Sequence, residues 1–429
     1  MKGGILTLWH DLWEASHRLL FFLAGVSAIT APAVWLFPEN IGPERIAWHS
    51  HELLFGMGGA AAGGYLLTAL PAWTKQGPVS PALSKAITLL WLVARFTAWR
   101  ADDLPLAIRT VGAAGYFAGL AFILAVALAS ARAWSRFWSV MAATALGVAA
   151  ALSSADSPVI QIAGQNATPL LFVVLIILVG GRAVTAFTRR WLDRVGVQAA
   201  PRDRAWLSNA AIGLVIAAVC LGVSEYEPAS GVLLLVSAAL LLVRMSAWQS
   251  WKSIRYPALL MLHAAWTWTP TGLLLTGLAL IDPHQIPLAA ALHALTMGAM
   301  GSMIVAVMMR AAMIRDGSRL TVNPTMAGAF VLVSLSAVVR ISADWLPAVP
   351  LDTISLAAAC WIIGWTLFLW SFLPSMSGPI RRPVLSAVLS TAKTPAETPS
   401  PETHETRHPF HLLGIRGSRK SPQSGAAGG

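Results

Sequence analysis

The sequence is poor in charge, and this scarcity excludes a soluble protein. Asp, Glu, Lys and Arg make up only 11% of the 429 residues, about half the fraction typical of soluble domains. Hydrophobic residues make up 56%, and the mean hydropathy is +0.65. A water-soluble fold cannot bury so much apolar surface, so most of it must face lipid.

Cysteine is nearly absent as well, which excludes several kinds of site. The two cysteines, Cys220 and Cys360, both lie in apolar segments and form neither a CxxC nor a CxxCH motif. The sequence therefore carries no zinc ribbon, no disulfide scaffold and no motif for covalent haem attachment.

Long apolar segments dominate the sequence instead. A membrane-spanning helix needs about 20 largely apolar residues, because the hydrocarbon core is about 30 Å thick and a helix rises 1.5 Å per residue. The sequence predicts an all-α polytopic membrane protein with about twelve transmembrane helices. They lie near residues 18–37, 51–73, 81–99, 110–131, 136–154, 167–187, 206–223, 229–247, 257–281, 286–310, 325–343 and 353–373.

The basic residues orient these helices. With the N-terminus inside, all but five of the 30 Lys and Arg residues fall in cytoplasmic segments, as the positive-inside rule requires. Both termini are therefore predicted to be cytoplasmic. The net charge of +11 is explained by this placement and implies membrane lipid, and no nucleic acid, as a partner. The five exceptions are Arg45, Arg95, Arg100, Arg109 and Arg340.

The composition changes after Leu373, which predicts two parts of the chain. Residues 1–373 form the twelve-helix transmembrane domain. Residues 374–429 are rich in Pro, Ser, Thr and Gly and contain seven basic residues, which predicts a disordered basic cytoplasmic tail. Its basic residues could contact anionic lipid.

Four histidines are the strongest candidates for chemistry, because an ionisable residue within a span is costly and marks a functional site. His49 and His51 open the second span, whereas His263 and His293 lie inside the ninth and tenth. A buried neutral imidazole needs a partner for each ring nitrogen, and a metal ion can be one of them. The alternative for His49 and His51 is a position at a solvated helix N-terminus. The alternative for His263 and His293 is a hydrogen bond to a neighbouring helix.

Three arginines are weaker candidates. Arg95 lies inside the third predicted span, where a haem propionate, another anion or an acidic partner could justify it; a salt bridge with Asp102 or Asp103 is the alternative. Arg182 and Arg310 lie near the inner ends of spans, where snorkelling is easy.

Small residues and methionines surround the histidines. Gly59 and Gly63 have the GxxxG spacing that lets helices approach closely, although a flat macrocycle could also lie against a glycine face. Met297 and Met300 continue the helix face of His293. Packing is the favoured interpretation for them, with Cu(I) binding as the alternative.

Four segments, in this order, resemble the NnrS family of bacterial inner-membrane proteins linked to nitric oxide metabolism. The resemblance implies bound haem b and copper, a multi-pass place in the bacterial inner membrane, and a role in denitrification or in protection against nitrosative stress. The segments are residues 48–74 (WHSHELLFGMGGAAAGGYLLTALPAWT), 180–192 (GGRAVTAFTRRWL), 262–275 (LHAAWTWTPTGLLL) and 291–313 (ALHALTMGAMGSMIVAVMMRAAM).

The resemblance also implies roles for individual residues. His49, His51, His263 and His293 correspond to histidines of the family's blocks, and Arg182 and Arg310 fall on its arginines. The family pattern after the tenth span resembles GHTGR, but the segment 313–319 of this chain lacks that histidine, so a copper ligand set using it would be incomplete. In the predicted topology, His293 with His49 or His51 is the better haem pair. His263 would bind a second centre with His17, or come level with the others through helix tilt or a break at Pro270.

The leading prediction is a membrane haem protein to which nitric oxide, a small apolar ligand, diffuses through the bilayer. Two alternatives stay open, a twelve-helix secondary transporter and a non-catalytic membrane factor for metal or haem. A transporter would be expected to show a repeat between spans 1–6 and 7–12. No such repeat is evident in the sequence. The sequence leaves open whether nitric oxide is turned over and which redox partner takes part.

Overall fold

The computed structural model describes residues 10–36, 44–197, 203–224, 226–316, 319–343 and 352–380. These residues form twelve long helices and one short hairpin, in which Arg315–Asp316 pairs with Arg319–Leu320. The predicted tail lies outside the described residues from position 381 onward. The helices are α1 (Ser16–Thr30), α2 (Arg45–Thr74), α3 (Pro81–Trp99), α4 (Leu106–Ser130), α5 (Trp138–Leu152), α6 (Pro158–Arg194), α7 (Ala205–Val223), α8 (Glu227–Ser246), α9 (Pro257–Ile281), α10 (Leu288–Ala312), α11 (Pro324–Ser342) and α12 (Thr353–Phe372).

The observed helices agree with the predicted spans, with one large exception. Helix α6 contains 37 residues, Pro158–Arg194, and extends beyond both ends of the predicted span 167–187. The apolar pattern fades at its C-terminal end, but the helix continues as an amphipathic segment that buries Trp191 and exposes Arg189 and Arg190. Hydropathy alone therefore finds the membrane-embedded part of α6 and misses its extension.

Eleven of the twelve helices are long and apolar enough to cross a membrane, and α3 is the exception. Helix α3 carries Lys85 and Arg95, which reduce its hydropathy. Its outward side nevertheless exposes Leu89, Val93 and Phe96, side chains that suit contact with lipid.

The ends of the chain show that α3 must cross as well. Arg18, at the start of α1, donates a hydrogen bond to the carbonyl of Gly378, which follows α12. The Gly378 amide donates to Asp11 at 2.8 Å. The start of α1 and the segment after α12 therefore lie on the same side of the bundle, which requires an even number of crossings. Which side of the membrane they face stays a prediction.

The helices form a ring with three helices at its centre. Each helix packs against the next, α12 packs against α1, and α2, α6 and α10 contact one another. In chain order these three are the second members of successive sets of four, namely α1–α4, α5–α8 and α9–α12. Each contains a π-helical segment, a rare widened turn that is frequent at functional sites. The segments are Glu52–Gly58, Ile176–Gly180 and Ala294–Gly301.

Candidate metal centre

His49 and His293 lie at the same end of the bundle and at similar depth. Helices α2 and α10 run in the same direction, because each successive helix reverses the chain. His49 is the fifth residue of α2 and His293 the sixth of α10, which places them about 6 and 8 Å from the helix starts. His49 is close enough to His293 and to Arg340 of α11 for direct electrostatic interaction. We call His49 and His293 the paired-histidine site.

Both imidazoles of this site are oriented by backbone carbonyls. The Nδ1 atom of His49 lies 3.4 Å from the carbonyl oxygen of Ala31, and Nδ1 of His293 lies 2.6 Å from that of Ala289. A carbonyl can only accept a hydrogen bond, so Nδ1 carries the proton in each ring and Nε2 carries the lone pair. Histidines that bind metals are commonly held in this way, with the other ring N–H bonded to a carbonyl or carboxylate.

The paired-histidine site lies near the end of the bundle. The ring of Trp35 meets the ring of His49 edge-on, with 4.7 Å between ring centroids, and Trp35 is 47% exposed. The segments 37–43 and 344–351, which connect α1 to α2 and α11 to α12, lie outside the described residues.

His51 has different surroundings from His49. Because α2 already begins at Arg45, the two histidines lie on a helix and cannot chelate one ion as neighbours in an extended chain. The ring of His51 packs on Phe55, and its Nδ1 lies 3.7 Å from a carboxylate oxygen of Glu52. His51 therefore belongs to a buried charged group rather than to the paired-histidine site.

Arg95 completes this charged group. Its guanidinium donates to Glu52 at 2.9 Å, and both side chains are nearly buried. The alternative of a salt bridge with Asp102 or Asp103 is not what the structure contains, because Asp103 pairs with Arg100. Arg95 thus neutralises the one carboxylate next to the histidines of α2.

His263 lies near the opposite end of the bundle. It precedes the end of α9 at Ile281 by 18 residues, so it is about 27 Å from the end at which α10 begins. Its Nε2 is 2.8 Å from the hydroxyl of Thr188, which also donates to the carbonyl of Val184. Its Nδ1 is buried and has no hydrogen-bond partner. We call His263 and Thr188 the single-histidine site; it cannot share a haem with His49 or His293.

A second buried ion pair lies near the single-histidine site and was not singled out from the sequence. Arg244 binds both carboxylate oxygens of Asp203, at 2.8 and 3.1 Å, although Arg244 is only 2% exposed. Its guanidinium lies over the rings of Trp248 and Trp266, and Trp248 also neighbours His263. The sequence signal for this ion pair is an arginine at the end of an apolar span, with Trp248 four residues later. The positive-inside rule already accounts for Arg244 at that position, so the sequence offers no reason to predict a site there.

The other two predicted arginines also lie away from the paired-histidine site. Arg182 and Arg310 are far along α6 and α10, at the end of the bundle that holds His263. Arg182 is exposed. Arg310 is buried, donates to the carbonyl of Ala258 at 3.3 Å, and lies over the ring of Phe187. The structure therefore does not bring these arginines together with His49 and His293.

The glycines near the histidines accommodate side chains rather than a macrocycle. A Cβ atom on Gly298 would lie 2.6 Å from Trp268, and one on Gly59 would lie 3.0 Å from Phe117. A Cβ atom on Gly56 would lie 2.7 Å from the carboxylate of Glu52. Close packing, the first interpretation of these glycines, agrees with the structure, and a flat group lying on the same faces would have to displace these side chains.

The residues of the paired-histidine site match the ligand requirement of a haem iron. Within the described residues, no group of three or more His, Cys, Asp or Glu side chains could hold a metal ion. A haem iron receives four nitrogens from its macrocycle and needs at most two from the protein. Two imidazoles at one depth, each with its proton on Nδ1, fit that requirement.

The structure also reveals a repeat that relates thirds of the chain rather than halves. His51 and His293 each immediately precede a π-helical segment. The two share the pattern HxLxxGxxG, with glycines at 56 and 59 in α2 and at 298 and 301 in α10. A comparison of spans 1–6 with 7–12 misses this repeat, because it joins the second helix of the first set with the second helix of the third.

The fold is that of an all-α multi-pass membrane protein, in which α2, α6 and α10 lie at the centre of a ring of helices. A family model described as "NnrS protein" matches residues 11–379 of the chain, and the chain belongs to this family. A search of curated proteins found no match. Membership confirms the resemblance drawn from the four sequence segments and associates the chain with nitric oxide-related metabolism.

Proposed function

We propose that this protein binds haem b non-covalently through His49 and His293 and acts in nitric oxide metabolism in the bacterial inner membrane. The family relationship supports the physiological setting, and the multi-pass fold agrees with it. The single observation that supports haem most directly is the pair of hydrogen bonds from Nδ1 to backbone carbonyls, since these leave Nε2 of each ring as the basic nitrogen.

Each nearby residue then has a distinct role. His49 and His293 would hold the iron, and the positive charge of Arg340 would suit a propionate. When bound, haem would supply an iron with affinity for nitric oxide. Arg95 is assigned to Glu52 rather than to a propionate, because the two are already hydrogen bonded in a buried pair.

The fold suits a small apolar ligand that arrives through the bilayer. The outer surface exposes large apolar side chains along most helices, and a diatomic gas needs no charged channel to cross such a surface. The proposal concerns binding. It assigns no ligand set to copper, which stays a prediction of the family resemblance.

The test is haem content and spectroscopy on the purified full-length protein. Reduced-minus-oxidised spectra and the pyridine haemochrome assay would compare wild type with His49→Ala, His293→Ala and His263→Ala. We expect about one haem per chain in wild type and in His263→Ala, and at least a tenfold loss in the other two variants. Copper would be measured in the same samples.

Two controls make this test decisive. Gel filtration and thermal unfolding would show whether the variants that lose haem are still folded, and added imidazole should restore part of the Soret absorbance to His293→Ala. A wild-type protein without a Soret band would overturn the proposal. So would haem that is lost from His263→Ala but kept in His49→Ala and His293→Ala.

A secondary transporter is the less supported alternative. Transporters of this size are commonly built from two related halves with charged groups at the membrane midplane. The repeat found here relates the first and third sets of four helices instead. The buried charges Glu52 and Asp203 are each neutralised by an arginine.

A further inference from the structure

A small apolar cavity lies where the three central helices meet. Its volume is about 100 Å³, and its lining comes from α2, α6 and α10 with one contribution from α1. Gly58, Gly180 and Met300, one from each π-helical segment, all contribute to the lining. The cavity thus occupies the point at which the helical geometry of all three central helices changes.

The local geometry explains why space remains there. A π-helical turn contains an extra residue, so the side-chain ridges before and after it are out of register and neighbouring helices mesh less well. Glycine and alanine, at positions such as Gly180 and Ala62, leave room that the flexible side chains of Met300 and Met303 fill only in part. The methionines of this region therefore line a cavity as part of the core.

The lining suits a small apolar molecule and not water. A buried water needs two to four polar partners, whereas among the lining side chains only Tyr65 carries a polar group. Cavities for drug-sized ligands or cofactors measure about 300–1,000 Å³, so this one is too small for them. An engineered apolar cavity of about 150 Å³ in another protein stays free of water and binds xenon.

The cavity is close to the paired-histidine site along the same two helices. Met300 follows His293 by seven residues, or about 10 Å, and Gly58 follows His49 by nine residues, or about 14 Å. Tyr65 and Val307, also in the lining, are only partly buried, so the cavity is not sealed from the surface of the bundle.

From this position, size and lining we infer that the cavity is a binding site for a small apolar gas molecule, about 10–14 Å along α2 and α10 from the paired-histidine site. The identity of the gas as nitric oxide rests on the proposed function. The presence of a gas-binding cavity does not, and xenon can test it in protein with or without haem.

The experiment measures xenon binding to the full-length protein in detergent, by ¹²⁹Xe NMR and by anomalous diffraction from pressurised crystals. We expect one xenon site between α2, α6 and α10. Ala62→Leu would fill the cavity and weaken xenon binding at least tenfold. Gly180→Ala adds one methyl group at ordinary contact distance, 3.4 Å from Met303, and should weaken binding severalfold without disturbing the fold.

Ala118→Leu provides the matched control, because Ala118 is exposed on α4. It should bind xenon like wild type. If wild type binds haem, carbon monoxide recombination after flash photolysis should slow at least fivefold in Ala62→Leu and stay unchanged in Ala118→Leu, at equal haem content.

The outcomes separate the two proposals. Xenon binding in a wild-type protein that lacks haem would contradict the proposed function and support the cavity site. Normal haem with no xenon at the cavity would overturn the cavity site alone, as would xenon binding that Ala62→Leu leaves intact. A lipid acyl chain found in the cavity would also overturn it.

Discussion

The two ends of the bundle hold similar residues in opposite arrangements. Each has histidine within a helix and a nearly buried arginine paired with a carboxylate, Glu52 with Arg95 at one end and Asp203 with Arg244 at the other. At the paired-histidine site, Nδ1 of each ring is bonded to a carbonyl. At the single-histidine site, Nε2 is bonded to Thr188 and Nδ1 has no hydrogen-bond partner.

This difference shows that a histidine's chemistry depends on which ring nitrogen is already engaged. A carbonyl fixes the tautomer, whereas the Thr188 hydroxyl could donate or accept. Because that hydroxyl already donates to Val184, it accepts from Nε2 of His263, and the lone pair is left on the buried Nδ1. The carbonyl-bonded arrangement occurs in both His49 and His293, at a shared depth, and leaves Nε2 of each ring with the lone pair. The arrangement at His263 joins α9 to α6 through Thr188.

The largest expected effect comes from breaking the ion pairs. Removing one partner of a buried pair leaves an uncompensated charge and typically costs about 3–5 kcal/mol. We expect Asp203→Asn to lower the thermal unfolding midpoint more than Glu52→Gln does, because Asp203 accepts two hydrogen bonds from Arg244 and Glu52 accepts one from Arg95. The double variant Asp203→Asn, Arg244→Met should regain part of the loss. Equal stability of Asp203→Asn and wild type would contradict this account.

Next in size is the loss of the hydrogen bond at the single-histidine site. Thr188→Val keeps the shape of the side chain but leaves both ring nitrogens of His263 without a partner, at an expected cost of about 1–3 kcal/mol in unfolding free energy. Denaturation in mixed micelles would measure it. Thr188→Ser should be close to wild type, and haem content should not change in either variant. Haem loss in Thr188→Val would contradict the distinction between the single-histidine site and the paired-histidine site.

Two adjacent glycines give a contrast of similar size. A Cβ atom on Gly181 would lie 2.9 Å from Trp266 and would collide with the guanidinium of Arg244, whereas one on Gly180 would make only ordinary contacts. We expect Gly181→Ala to cost about 1–3 kcal/mol by overpacking. Gly180→Ala should be neutral or stabilising by up to about 1 kcal/mol, because alanine favours helix. Thermal unfolding of both variants side by side would decide, and a reversed order would show that the helix packing differs from the one described.

The smallest effect is expected at Arg182. Its side chain is exposed, so Arg182→Ala should change the unfolding free energy by no more than about 0.5 kcal/mol. Haem content and the Soret spectrum should match wild type, despite the correspondence of Arg182 with a family arginine. Arg310→Ala, which removes a buried cation, serves as the contrasting variant and should be clearly less stable. A shift of the Soret band in Arg182→Ala would show instead that Arg182 contributes to the cofactor site.

Much of the fold could be predicted because hydropathy is a local property. The bounds of α3 and α9 agree with the predicted spans 81–99 and 257–281. The extension of α6 was missed, since its end is held by the packing of Trp191 rather than by lipid. The π-helical segments were missed too, because no propensity signal distinguishes them from ordinary helix.

The candidate site was predictable only as a set of residues. The predicted topology places His263 and His293 at different depths, and in the structure they lie near opposite ends of the bundle. Topology did not separate His49 from His51. That distinction follows from the contacts each ring makes, with Ala31 for His49 and with Glu52 for His51.

The sequence by itself determined that this chain crosses the membrane repeatedly, because apolar length measured against bilayer thickness involves only consecutive residues. It also singled out the histidines that are candidates for chemistry, because so few ionisable residues lie in its predicted spans. Only the tertiary structure decided how each is used. The carbonyl that orients His49 is 18 residues away and the hydroxyl that holds His263 is 75 residues away, so neither partner can be read from local sequence.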